Sequence, residues 1–184
     1  MKTNARNKRL TTLVSLALLV AIEVVLARFL SIRTPVVRIG FGFVPVAVAG
    51  MMFGPMGGLS VGLIGDLLGA TLFPSGVFHP GFTLTATLGG LVYGILLHQK
   101  EGEPAWSQTK FLIRVGIAVV IKCFVLSLCL NTVWLTQLYD KAYMVMLPPR
   151  IIKEAVMCAV EFVVINLVHI ALVQPLLRRQ VNAG

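Results

Sequence analysis

Arg28, Arg33 and Arg38 stand five residues apart in the segment RFLSIRTPVVRIGFGFVP. Far along the chain, Arg150 precedes Lys153 by three residues in LPPRIIKEAVM. Guanidinium groups bind carboxylates through two parallel hydrogen bonds, so cations gathered in this way suit an anionic ligand. Asn131 and Trp134 are three apart in LNTVWLTQLY and therefore share a helical face. An amide and an aromatic ring facing the same way suit a flat heteroaromatic group that stacks and is bonded along its edge. Phe78, His79 and Phe82 belong to FPSGVFHPGF, where Pro74, Gly76, Pro80 and Gly81 predict a turn-rich loop that displays the aromatic side chains.

Other chemistries find no support. The chain has no GxxxxGK[ST] phosphate loop, HExxH or GxSxG, so neither ATP hydrolysis nor a familiar hydrolase site is expected, and it reads as a non-enzyme with no catalytic residue. Ser60 and Ser127 lack a histidine at matching depth for an intramembrane protease. His79, His98 and His169 are dispersed, so no metal site is expected, and Cys123, Cys129 and Cys158 lack metal-ligand spacing and read as buried, inert thiols.

The elements that must hold these residues are membrane helices. The 184 residues are 57% hydrophobic and 12% charged, with mean hydropathy +0.90, whereas a soluble domain carries about 25% charged residues. Spans are expected at roughly 11–30, 41–56, 58–73, 82–98, 111–134 and 150–175, giving an all-α bundle of six transmembrane helices in one domain, 1–184. Residues 1–10 resemble the basic start of a signal peptide, but the apolar run after them is long and has no clear cleavage site, so it reads as a retained first span. Tails 1–10 and 176–184 flank the bundle. The net charge of +9 sits at span ends and in loops, which suits membrane lipid headgroups rather than nucleic acid.

Lysine and arginine placement sets the orientation. The termini and the fourth connection carry nine, the opposite side six, and Lys122 lies mid-span. The richer side is taken as cytoplasmic, with both termini inside a bacterial plasma membrane. The six cations outside fall in the first and fifth connections and their adjoining helix ends, where positive-inside statistics disfavour them. Arg150 and Lys153 admit two readings, interfacial snorkelling and carboxylate recognition. Glu23, Asp66, Lys122, Glu154 and Glu161 fall in or near spans, where ionisable groups are expensive. A Lys122–Glu161 or Lys122–Asp66 pair that fixes helix packing is favoured over a proton or sodium relay.

Glycines four apart, such as Gly54, Gly58 and Gly62 or Gly90 and Gly94, predict close helix packing, as does the Ala17/Ala21 pair.

Together RIGFGFVPVAVAGMMFGPMGG, GLIGDLLGATLFPSG, HPGFTLTATLGGLVYG, LNTVWLTQLY and LPPRIIKEAVM resemble the folate-specific substrate-binding (S) components of energy-coupling-factor (ECF) vitamin transporters, over most of the chain. The resemblance implies a six-helix S component that captures folate from outside the cell. It implies assembly with a transmembrane scaffold (T) subunit and two cytoplasmic ATPase (A) subunits, which use the ATP, so the chain needs no cofactor of its own. It implies that Ala17 and Ala21 dock the scaffold, that the S component topples to deliver its vitamin, and that the pocket lies among the outer loops and outer ends of helices four to six. The expected ligand-binding set is Arg28, Arg38, Phe78, His79, Phe82, Asn131, Trp134, Arg150 and Lys153. Trp134 and a loop phenylalanine would sandwich the pterin, Asn131 would bond its edge, and the cations would meet polar pterin atoms or the glutamate carboxylates. Two other readings stay open: the same fold serving another flat anionic vitamin, and a non-transport membrane scaffold whose cations meet lipid.

Overall fold

A computed structural model describes residues 2–33, 38–74, 77–99, 106–139 and 142–175. It is helical apart from one short hairpin, and five of its helices are long and apolar enough to cross a membrane. They are α1 (Lys2–Arg28), α2 (Phe43–Leu72), α3 (Pro80–Leu97), α4 (Gln108–Tyr139) and α5 (Tyr143–Val168). The C-terminal tail 176–184 lies outside the described residues, as do the side chains of Arg33 and Arg38.

The two spans predicted at 41–56 and 58–73 are the two halves of α2, which break apart at Gly54. Gly54 has φ 73° and ψ −164°, a conformation open in practice to glycine alone. Pro55 follows it and has no N–H, so the carbonyl of Met51 loses its helical donor. His98 at the end of α3 supplies one, with Nδ1 donating to the Met51 oxygen at 2.9 Å. The two halves of α2 lie side by side: Gly50 meets Gly58, while Gly42 and Gly65 both press on Glu23 of α1. Gly58 packs against the Gly90 carbonyl, Gly62 against that of Ala86, and Gly94 against Pro55. A side chain at these contacts would strike backbone, so the four-residue glycine spacing works as the sequence predicts, by letting α2 and α3 touch.

Two helices outrun their predicted spans. Ser107 caps α4 by accepting from the Lys110 amide at 3.3 Å, and the helix continues to Tyr139 instead of stopping at 134. The last helix starts at Tyr143, not 150, and takes in Pro148 and Pro149. The carbonyls that lose donors belong to Met144 and Val145, both exposed near the helix start, where the loss is least costly.

Between α1 and α2 lie β1 (Ser31–Arg33) and β2 (Arg38–Gly40), an antiparallel pair with Arg33 opposite Arg38. Sequence reading assigns this stretch to a loop. The core gathers Val20, Phe43, Tyr93, Val115, Val119, Cys123 and Ile165. Only Cys123 fulfils the expectation of a buried thiol, since Cys158 is half-buried and Cys129 is exposed; no disulfide joins them.

Candidate functional site

A cavity of about 380 Å³ opens between the helices at the end of the bundle where α1 finishes and α3 begins. That volume lies within the usual range for small-molecule sites, about 300–1,000 Å³. All five helices contribute to its wall.

His79 is the N-cap of α3, and its Nδ1 accepts from the Gly81 amide at 3.1 Å. Nδ1 is thereby fixed as the acceptor, which leaves Nε2 as the N–H donor. The imidazole lies 5.6 Å from the Trp134 ring, tilted 30° to it, and 5.8 Å edge-on from Phe82. Trp134 is fixed behind it. Its Nε1 donates to Thr85 Oγ1 at 3.2 Å, and the Thr85 hydroxyl donates to the Gly81 carbonyl at 3.0 Å. Gly81 packs directly on the indole, leaving no room for a Cβ. Phe78, His79 and Phe82 line the cavity, whereas Trp134 backs the lining rather than joining it.

On the α1–α2 side, the Arg28 guanidinium lies 3.5 Å from Asp66 Oδ1 and donates to the Asp66 carbonyl at 3.3 Å. Asp66 Oδ2 accepts from Thr83 at 2.7 Å. Glu23 is buried on the same side. On the α4–α5 side, Arg150 is buried and donates to the Ser127 carbonyl at 2.9 Å. Lys153 pairs with Glu154 at 2.7 Å, and Glu154 also accepts from the Ser127 hydroxyl at 2.5 Å. Arg150 is buried and Lys153 half-buried, and both line the cavity. Asn131 lines the cavity with a buried Oδ1 that has no hydrogen-bond partner among the described residues.

The floor is a polar hub at Glu161, which is fully buried. It accepts from Tyr93 Oη at 2.8 Å and from the Lys122 ammonium, and the Cys123 thiol lies 3.6 Å away. Lys122 Nζ also stands 5.6 Å above the Phe43 ring. Of the two partners allowed by depth, Lys122 takes Glu161, and Asp66 goes to Arg28.

The middle of α4, Ile121–Leu130, is wound as a π-helix. Its i→i+5 bonding widens each turn. Lys122 and Asn131 are nine apart, which at about 100° per residue would set them on opposite faces of an α-helix. The wider winding brings Lys122, Leu126, Ser127 and Asn131 to one wall of the cavity.

Of the nine ligand-binding residues expected from sequence, seven line one cavity: Arg28, Phe78, His79, Phe82, Asn131, Arg150 and Lys153. Trp134 stands just behind it, and the side chain of Arg38 lies outside the described residues. The reading missed the floor, Tyr93, Lys122 and Glu161, as part of the site. Its signal was present as ionisable groups at membrane depth. Ala17 and Ala21 are exposed on α1, beside exposed Leu13, Val14 and Leu18, so they are not spent on packing within the chain. Among the described residues no cluster of His, Cys, Asp and Glu could hold a metal ion.

Residues 11–169 match the family described as ECF transporter, substrate-specific component. The folate transporter FolT of Clostridium novyi (strain NT) is 42% identical over 158 residues, which cover 86% of this chain and 87% of that relative. The folate transporter FolT of Leuconostoc mesenteroides is 30% identical over 153 residues, 80% of this chain and 78% of the relative. The fold superimposes on a crystal structure of FolT bound with folic acid with TM-score 0.70 and 30% identity, covering 81% of this chain and 85% of the other. It also matches the S component of a bacterial ECF transporter with TM-score 0.65 and 26% identity, covering 94% and 98% of the two chains.

Proposed function

The chain belongs to the substrate-specific components of ECF transporters, and from that premise we propose that it captures folate outside the cell and delivers it through an ATP-driven ECF complex. The observation that carries this reading is a single cavity joining the cations Arg150 and Lys153 to the aromatic corner of His79 and Phe82 and to Asn131. Folate offers a flat heteroaromatic ring, an aminobenzoyl ring and a glutamate with two carboxylates. The aromatic corner stacks flat rings. The buried Asn131 oxygen gains a donor, and leaving such an acceptor unmet costs about 1–3 kcal/mol. Trp134 supports this corner through His79 instead of forming the sandwich itself. Similarity to FolT proteins of two organisms favours folate over another flat anionic vitamin.

The reversal of α2 at Gly54 lets its halves serve as two crossings, which makes six in all and puts both termini on one side. The lysine and arginine excess there makes that side cytoplasmic. The chain has no ATP-binding loop, so the T and A subunits of an ECF module supply the energy.

Purified protein is expected to bind folate tightly and to retain it through purification. Trp106→Phe, which leaves Trp134 as the lone indole, should show folate-dependent quenching. No retained folate, no binding and no quenching together would exclude the assignment. Ala17→Trp is expected to leave folate binding intact while abolishing uptake in cells that carry the ECF module, because the exposed small-residue face of α1 docks the scaffold. Unchanged uptake would remove that docking role.

A further inference from the structure

We propose that the first turns of α4 hold an anionic phospholipid, with its headgroup on Lys110, Arg114 and Trp106 and one acyl chain running down α4 into a groove against α5. The proposal rests on the membrane reading of the helices and is independent of which vitamin fills the central cavity.

The headgroup end is electropositive from three sources. The Arg114 guanidinium carbon lies 4.0 Å from the centre of the Trp106 ring, and Lys110 Nζ lies 5.6 Å from it. Lys110 and Arg114 are four apart and share a face of α4. Arg114 also donates to the Leu96 carbonyl at 3.1 Å, which fixes its place against the end of α3 and leaves other N–H groups for a ligand. Among the described residues no carboxylate pairs with either cation. The third source is the start of α4 itself. Its first turn carries no acidic residue, so the partial positive charge of the helix N-terminus adds to the two cations. Across residues 98–114, Lys100, Lys110 and Arg114 outnumber Glu101 and Glu103. A phosphate accepts charge-assisted bonds from both cations, and an indole is at home at headgroup level.

An apolar track leads from this end towards the middle of the bilayer. Ile113, Ile117 and Val120 follow Lys110 at spacings of three and four, and all three are exposed. The track ends at a groove of about 420 Å³ between α4 and α5, whose walls include Gly116, Val120, Phe124, Ala155, Ala159 and Phe162. Small residues hollow it out. Ala155 and Ala159 are exposed, and a Cβ added to Gly116 would meet only Phe162, at 3.8 Å. Val120 is ten residues from Lys110, about 15 Å along the helix, which is half of a hydrocarbon core about 30 Å thick. The groove therefore lies where the chain of a lipid anchored at Lys110 comes to its end. A hollow left unfilled there would forfeit dispersion contacts on both helices, and a flexible chain fills it. A partner helix could fill the groove, but it would give the cations no anion. Charge at one end and an apolar track leading from it match the two halves of a phospholipid.

Native mass spectrometry tests the site on wild-type protein released from micelles that contain equal amounts of phosphatidylglycerol and phosphatidylcholine with the same chains. Each Lys or Arg near a bilayer surface adds about fivefold to binding of anionic lipid. Retained phosphatidylglycerol is therefore expected to exceed phosphatidylcholine about tenfold or more. Equal retention of the two would overturn the anionic headgroup. Lys110→Gln should cut the preference about fivefold. Arg9→Gln removes an exposed cation at the same end of the bundle, on α1, and should leave the preference within about twofold. Equal losses in the two variants would show attraction by the whole face in place of a site and overturn the proposal. Ala159→Leu fills the groove without touching the cations. It should lower the total retained lipid about threefold while the preference for phosphatidylglycerol stays. Unchanged retention would overturn the placement of the chain, and unchanged retention together with lost uptake in cells would give the groove to a partner helix. Ala155→Val is a smaller filling that reads the same way should Ala159→Leu fail to fold, with size-exclusion profiles as the folding control. Lipid retention is read directly, so failure of the folate assignment would leave this result standing.

Discussion

Glu161→Leu is expected to cost about 3 kcal/mol of stability, because it leaves a half-buried ammonium without its counter-charge. The same change strips the Tyr93 hydroxyl of its acceptor, and Tyr93 is almost completely buried. Three elements meet at this carboxylate: α3 through Tyr93, the π segment of α4 through Lys122 and Cys123, and α5 through Glu161 itself. For a chain of this length the expected fall in melting midpoint is about 10 °C, measurable in detergent by fluorescence or calorimetry. Lys122→Met added to Glu161→Leu should recover much of the loss, since the pair then leaves no charge behind. A single variant that melts with the wild type would show that the hub contributes nothing to stability.

Arg150→Ala is expected to weaken folate binding about a hundredfold while the protein still folds, a loss in the range of about 2–5 kcal/mol seen when one partner of a buried charge pair is removed. Arg150 is 5% exposed, lines the cavity and donates to the Ser127 carbonyl. Arg150→Lys should recover only part of the affinity, because an ammonium is a point charge and cannot grip a carboxylate with two parallel bonds. Titration of each variant against folate, with size-exclusion profiles as the folding control, measures both effects. Affinity within about threefold of wild type for Arg150→Ala would remove this residue from the site.

Much of the site was legible because its residues broke rules. Arg28, Arg150 and Lys153 were conspicuous as cations on the sparsely charged side, and Asn131 as an amide in an apolar run; all four line the cavity. The loop aromatics were found through the Pro and Gly residues around them. Three features were not legible. Helical periodicity of 3.6 puts Lys122 and Asn131 on opposite faces, so the floor and the wall of α4 could not be joined on paper, and nothing in IKCFVLSLCL announces π winding. The first connection contains Val36 and Val37 but no alternating pattern, so the hairpin of Ser31–Arg33 with Arg38–Gly40 went unseen. At Gly54, hydropathy marked a break between two spans, but not that the two helices fold back to lie side by side. The depth of Trp134 was not legible for a different reason. Spacing gives the direction of a side chain, whereas Gly81 and Thr85 decide how deep it sits.

The π segment makes the composition of the cavity wall depend on a residue count as much as on residue identity. Deleting one residue between Lys122 and Asn131 would set them eight apart, and regular winding at about 100° per residue would then turn Lys122 about 80° from the direction of Asn131. The helix would shorten by only about 1.5 Å, too little for the bilayer to register. Ligand preference in this architecture can therefore be rewritten by a single-codon insertion or deletion inside a membrane helix, a class of change that is usually read as simple damage.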